Sequence, residues 1–193
     1  MRMVSIASGS SGNCIYIGSD STHLLVDAGI SNKRIQQGLN EIGLTGNDVN
    51  GILITHEHSD HIKGLGVLSR KYEIPIYGTR ETLDEIAAAG SLGKFDKGLL
   101  TPVCPDLDFM VGDLTVKPFK IDHDAANPVA YRVQNGEKSV AVATDMGHFD
   151  HRPSSGAGRP APGIQPRCQD AGDRTLSLLP ETEDLRGPRP SVQ

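Results

Sequence analysis

The sequence predicts an α/β (α+β) fold on three observations. Short, β-branched-rich runs open the chain, strands and helices then alternate through its middle, and two hairpin signals follow. The opening runs are MVSIA (3–7), CIYI (14–17) and THLLV (22–26). Gly, Ser and Asp separate them, which is the pattern of consecutive antiparallel strands with tight connections. Ser31 then precedes a segment in which Ile35, Leu39 and Ile42 recur at helical spacing, so Ser31 is the expected N-cap and Gly43 the stop.

GILIT (51–55) predicts a buried strand, and Ile62, Leu65 and Leu68 return to helical spacing over residues 61–72. IPIYG is the next short strand and RETLDEIAAAG the next helix. DFMVGDLTVKPF predicts two strands joined at Gly112-Asp113. In VAYRVQNGEKSVAVAT two strands flank Asn135-Gly136, a dipeptide whose residues both tolerate positive φ.

The chain has 193 residues, 37% of them hydrophobic, which suits one domain with a real core. The start, MRMVSIASGSSGN, is neither a secretory apolar segment nor a membrane span, so a cytoplasmic protein with no membrane attachment is expected. Cys14, Cys104 and Cys168 are odd in number and form no C-x-x-C pair, against a disulfide framework or a thiolate zinc site. A net charge of −5 supplies no general attraction to phosphates, so any nucleic-acid role has to be local. No protein partner is indicated.

Composition changes after Asp150. Residues 151–193 hold seven of the twelve prolines, six arginines and no lysine, and strand and helix periodicity stops. One domain over 1–150, incomplete at its C-terminal side, and a Pro/Arg/Gly-rich tail over 151–193 are the organisation expected. The tail is expected to be disordered, because it cannot bury enough apolar surface to offset its ordering entropy. It reads either as a natural linker or as a GC-rich gene translated out of frame.

The chemistry concentrates in THEHSDH, where His56, His58, Asp60 and His61 crowd a strand-to-helix junction. Two imidazoles two residues apart at a strand end can converge on one point, with Asp60 and His61 on a second point nearby. Imidazole nitrogen and carboxylate oxygen are the ligands of catalytic metal sites with an open position. Glu57 is expected to be solvated or to support the ligands from behind rather than to be a ligand, and His23 to be structural. Either Asp122 or Asp124 can orient His123 through its second nitrogen.

H-x-H-x-D-H resembles the signature of the metallo-β-lactamase-fold hydrolases, and the resemblance covers residues 1 to about 150. It implies an αββα sandwich of which only the first half is convincingly present. It also implies that Asp27 in LLVDAG supports the metal loop, that His123 completes a first metal site with His56 and His58, and that Asp145 bridges to a second metal held by Asp60 and His61. SGSSGN (8–13), HDA (123–125) and TDMGH (144–148) further resemble the bacterial WalJ/YycJ branch, described as DNA exonucleases. In that loop Ser10, Gly12 and Asn13 are candidate substrate contacts through an anion-binding nest, or else a flexible turn. His148 is a candidate cleft residue. The family's last metal-binding histidine has no match, and His151 is not assigned that role.

The implied function is a metal-dependent hydrolase of phosphodiesterase or nuclease type, with nucleic acid as substrate. A hydroxide bridging two divalent ions would attack, with Asp60 as the catalytic residue acting with it, and zinc is expected ahead of manganese or iron. The same ligands serve a glyoxalase- or lactonase-like hydrolase, and the missing histidine admits an inactive, truncated remnant.

Overall fold

The structure, a computed structural model, describes residues 1–90, 92–93 and 96–145. The expectations placed on His148, His151, Cys168 and the 151–193 tail lie outside the described residues. Three antiparallel strands open the chain as anticipated: β1 (Arg2–Ala7), β2 (Cys14–Gly18) and β3 (His23–Val26). The helix α1 (Asn32–Glu41) follows, burying Ile35 and Leu39. It ends at the expected place, where the amides of Gly43 and Leu44 bond the carbonyls of Asn40 and Leu39.

β4 (Gly51–Leu53) is wholly buried. The single helix expected over 61–72 is two pieces, α2 (Ser59–Ile62) and α3 (Leu65–Tyr72). β5 (Ile76–Thr79) and α4 (Arg80–Ala88) follow, with Thr79 capping the helix through Thr82 N–H. β6 (Leu100–Val103) has no counterpart in the sequence reading, because Pro102 interrupts its pattern. It is the outer strand of its sheet, the position where a residue without a ladder donor is tolerated.

The first sheet has the order β1-β2-β3-β4-β5-β6, and β3 through β6 are parallel. A second sheet holds β7 (Phe109–Val111), β8 (Leu114–Lys120), β9 (Val129–Asn135) and β10 (Lys138–Val142), all antiparallel. The Gly112-Asp113 turn is as predicted, with Val111 opposite Leu114. The later hairpin is offset by one residue: Asn135 pairs with Lys138, so Gly136-Glu137 makes the turn, with glycine at the position that takes positive φ.

Two cores result. On one face of the first sheet, Leu25, Ile52, Ile54 and Ile76 pack with Ile35, Leu39, Leu65, Leu68 and Leu83 of the helices. On the other, Ile17, Leu24, Val26 and Leu53 meet Val116, Val129, Tyr131 and Val133 of the second sheet. Alternation along each strand thus produces a helix, sheet, sheet stack among the described residues. Tyr131 Oη donates to the Ile54 carbonyl at 2.9 Å, and Val129 N–H donates to the Thr55 carbonyl at 3.0 Å, tying the sheets together beside the end of β4. Among the described residues no helix is long and apolar enough to cross a membrane.

Candidate metal centre

The polar cluster lies past the carboxyl ends of β3 and β4, the usual place for ligands in sheets with parallel strands. Asp27 follows β3, and Thr55 to His61 follow β4. His123 follows β8 and Asp145 follows β10, so both sheets deliver side chains to one place.

Backbone contacts hold the loop from Thr55 to Gly64. Asn13 N–H donates to the Asp60 carbonyl at 2.8 Å, and Ala28 N–H donates to that of His61 at 2.7 Å. Gly29 passes so close that a Cβ there would stand 1.5 Å from the Asp60 carbonyl oxygen. Gly64 donates to the Ala28 carbonyl at 2.7 Å, and a Cβ on it would meet the Ile30 carbonyl at 2.2 Å. That docking of Gly64 on the segment after β3 accounts for the break between α2 and α3.

Two groups of candidate ligands emerge. His56, His58 and His123 form one and His56, His61 and Asp145 the other, the ligand atoms of each group lying within 4.8 Å of one another. The sequence expectation differs in its second set: His56 belongs to both groups, and Asp60 stands outside them with Oδ2 at 3.6 Å from His61 Nε2. Asp145 Oδ2 is 2.8 Å from the same nitrogen.

Asp27 organises this centre from beneath. Its buried carboxylate accepts the Thr55 N–H at 2.9 Å, the Thr55 hydroxyl at 2.9–3.0 Å and His61 Nδ1–H at 2.8 Å. With Nδ1 engaged, His61 turns Nε2 toward Asp145 and toward Asn13 Nδ2 at 3.1 Å. Burial pushes the Asp27 carboxyl up against its hydrogen bonds from His61 and Thr55. For His61, burial pulls down but the bond to Asp27 and the charges of Asp27, Asp60 and Asp145 outweigh it, and the net direction is up. Both directions favour one proton kept between the two side chains.

His56 is fully buried, and burial together with the neighbouring His61, His58 and His123 pushes its pKa down to about 3. Its Nδ1 faces the Thr55 hydroxyl at 3.0 Å, while its Nε2 has no hydrogen-bond partner. A buried ring nitrogen without a partner, kept neutral and aimed among imidazoles, is what a metal ligand offers. The donor set therefore fits a divalent ion.

The other candidates separate. Asn13 is buried and bonds both Gly9 N–H and His61, so it is a support of the centre. The amides of Gly9, Gly12 and Asn13 are all bonded within the protein, and Ser8 to Ser11 form the exposed part of the loop while Gly12 and Asn13 are buried. His23 shares a hydrogen bond with Tyr16 at the far end of β3. Asp122 and Asp124 are exposed. One contributor escaped the sequence reading: Thr55 looked like the last residue of a strand, yet its hydroxyl joins Asp27 to His56. Glu57 takes the supporting place, one of its two expected roles, bonding Ala126 N–H and the Thr82 hydroxyl.

Residues 7–183 match the family described as the metallo-beta-lactamase superfamily. The chain is 43% identical to exodeoxyribonuclease YycJ of Bacillus anthracis over 147 residues, which are 76% of this chain and 55% of that protein. It is 41% identical to exodeoxyribonuclease WalJ of Streptococcus pneumoniae with the same coverage of each. The chain thus spans about half the length of these curated relatives. Among solved structures it resembles the Rm3 metallo-beta-lactamase, with a TM-score of 0.60 and 19% identity, covering 79% of this chain and 64% of that one.

Proposed function

Since the chain belongs to the metallo-beta-lactamase superfamily, we propose that it is the metal-binding part of a DNA exonuclease that hydrolyses phosphodiesters with two divalent ions. The observation that carries this reading is the convergence of His56, His58 and His123 beside His61 and Asp145, with His56 Nε2 buried and unpartnered. The relatives named exodeoxyribonucleases supply the substrate class.

His56, His58 and His123 would hold one ion, and His61, Asp60 and Asp145 the second. Divalent ions there would polarise the scissile phosphodiester and acidify a water, and zinc fits the imidazole-rich first group well, with manganese or iron as the other ions these ligands accept. The protein's own residues do the rest. Thr55 and Asp27 fix the rings of His56 and His61 so that both present Nε2. Asp60, partly exposed beside His61, would orient the attacking water and take its proton. Ser10 and Ser11, exposed in the loop whose Asn13 bonds His61, would offer hydroxyls to a phosphate oxygen. Bound cations would also give the acidic chain the local positive field that its net charge lacks. A DNA substrate implies the cytoplasm as the place of action.

The test is incubation of the 193-residue protein with end-labelled DNA and Mn2+ or Zn2+. Progressive shortening that chelator abolishes, and that His58→Ala and Asp60→Ala both lose, is expected. Turnover of a lactone or thioester with intact DNA would transfer the assignment to a glyoxalase- or lactonase-like hydrolase. No turnover of any of them would identify an inactive remnant.

A further inference from the structure

His123 reaches the other histidines from the connection between β8 and β9, residues 121–128, which has no regular secondary structure. Such a segment needs fastening before its imidazole can serve as a ligand, because a free loop would spread His123 over many positions. Besides the Ile121 N–H bond to the Pro128 carbonyl at 3.3 Å, the Ala125 N–H bond to the His123 carbonyl at 3.0 Å and the 3.4 Å approach of His123 Nε2 to His58 Nδ1, three contacts tie it to the loop after β4, to β5 and to α4. Ala126 N–H donates to Glu57 Oε1 at 2.8 Å, Thr79 Oγ1 donates to the Asn127 carbonyl at 2.9 Å, and Asn127 Nδ2 donates to Glu81 Oε2 at 2.9 Å.

Glu57 differs from the other two anchors in where it sits. It lies between His56 and His58, so the contact to Ala126 joins the chain segment holding two ligands directly to the segment holding the third. Its other oxygen, Oε2, accepts the Thr82 hydroxyl of α4 at 3.4 Å. Both oxygens are thereby engaged by other segments, and Glu57 belongs to neither ligand group. A carboxylate is suited to the task, since its charge strengthens the bond to a backbone N–H that is otherwise exposed to competing water.

We infer that Glu57 is the positioning residue for His123: by gripping Ala126 it sets the distance at which the His123 imidazole meets His56 and His58. The inference rests on the metal-binding part of the proposed function, and deepens it by naming what assembles the three-histidine group.

The test pairs Co2+ titration, followed by the absorption of the bound ion, with hydrogen exchange at the Ala126 amide in the metal-free 193-residue protein. Glu57→Ala is expected to weaken Co2+ binding by about 10- to 100-fold, the range for losing a group that orients a ligand, and to speed Ala126 exchange by about tenfold or more. Glu57→Gln, which keeps an acceptor for Ala126, is expected to recover most of both. Glu57→Asp keeps the charge but draws it back by one methylene; it is expected to weaken binding and serves if the alanine variant does not fold. Wild-type Co2+ affinity in Glu57→Ala or Glu57→Asp overturns the inference, as does weakened binding with unchanged Ala126 exchange. If the wild type itself takes up no Co2+, the metal reading fails on its own, and unchanged Ala126 exchange in Glu57→Ala then overturns the grip as well.

Discussion

His61 donates its Nδ1–H to Asp27 Oδ2 across 2.8 Å, and both side chains are almost wholly shielded from solvent. The bond joins the end of β3 to α2 and selects the ring nitrogen that faces Asp145. Asp27 holds a left-handed backbone conformation with φ of 60°, which aspartate tolerates better than most residues. Asp27→Asn removes the charge and substitutes an NH2 for one acceptor oxygen. The variant is expected to bind Zn2+ or Co2+ about 10- to 100-fold more weakly than wild type. Competition titration against a chelating dye measures this, and equal affinity would mean that Asp27 does not orient His61.

Thr55 is fully buried, and its hydroxyl contacts Asp27, His56 Nδ1 and His61 Nδ1. Thr55→Val keeps the shape but leaves the buried acceptors short of one donor. A loss of roughly 1–3 kcal/mol in unfolding free energy is expected. Urea denaturation of the metal-free protein reads it, and an unchanged midpoint would show that the hydroxyl is dispensable.

Gly29 leaves no room for a side chain, because the Asp60 carbonyl oxygen would lie 1.5 Å from its Cβ. In Gly29→Ala either the metal loop or the segment after β3 has to move. Destabilisation at or above the upper end of the roughly 1–3 kcal/mol typical of overpacking is expected, with metal binding impaired as well. Thermal melts with and without Zn2+ would record both, and a wild-type melt would contradict the packing described.

The histidines also predict how stability responds to acid. His56 has its pKa lowered from 6.5 to about 3, so the unfolded chain binds a proton there that the folded one refuses. The stability it contributes is complete above pH 6.5 and declines as pH falls from 6.5 toward 3. His61 shifts upward instead, so its contribution is already complete below 6.5 and does not change over that window. His56 therefore weakens the chelated protein between pH 7 and 4.5, while the raised Asp27 carboxyl acts in the opposite sense, adding stability as pH falls. The share due to His56 is the difference between wild type and His56→Gln, whose stability should fall less over that range. Urea midpoints at the two pH values are the measurement, and parallel wild-type and variant slopes would remove His56 as the cause.

Much of the fold is legible in local pattern. Ile35 and Leu39 announce α1, and three β-branched runs announce the antiparallel start. The errors arise where distant backbone intervenes. The 61–72 periodicity continues across Gly64, but the helix does not, because Gly64 bonds Ala28 and packs on Ile30. Pro102 hides β6, whose edge position only the sheet order reveals. At the later hairpin the Asn-Gly pair marks the turn correctly to within one residue, and the register of β9 against β10 decides the rest.

The residue types of the centre, and the crowding of His56, His58, Asp60 and His61 within six positions, are properties of the sequence by itself, since short spacing after a buried strand brings them together without further help. His123 and Asp145 had to be assigned by family resemblance, because no local signal spans the separation from His56. The tertiary structure alone decides that Asp27 and Thr55 choose which imidazole nitrogens face the centre, that His56 is shared by both ligand groups, and that Glu57 grips the loop bearing His123. Each of these depends on where a hydrogen-bond partner from another segment arrives, and that is set by how strands from two sheets pack rather than by any pattern along the chain.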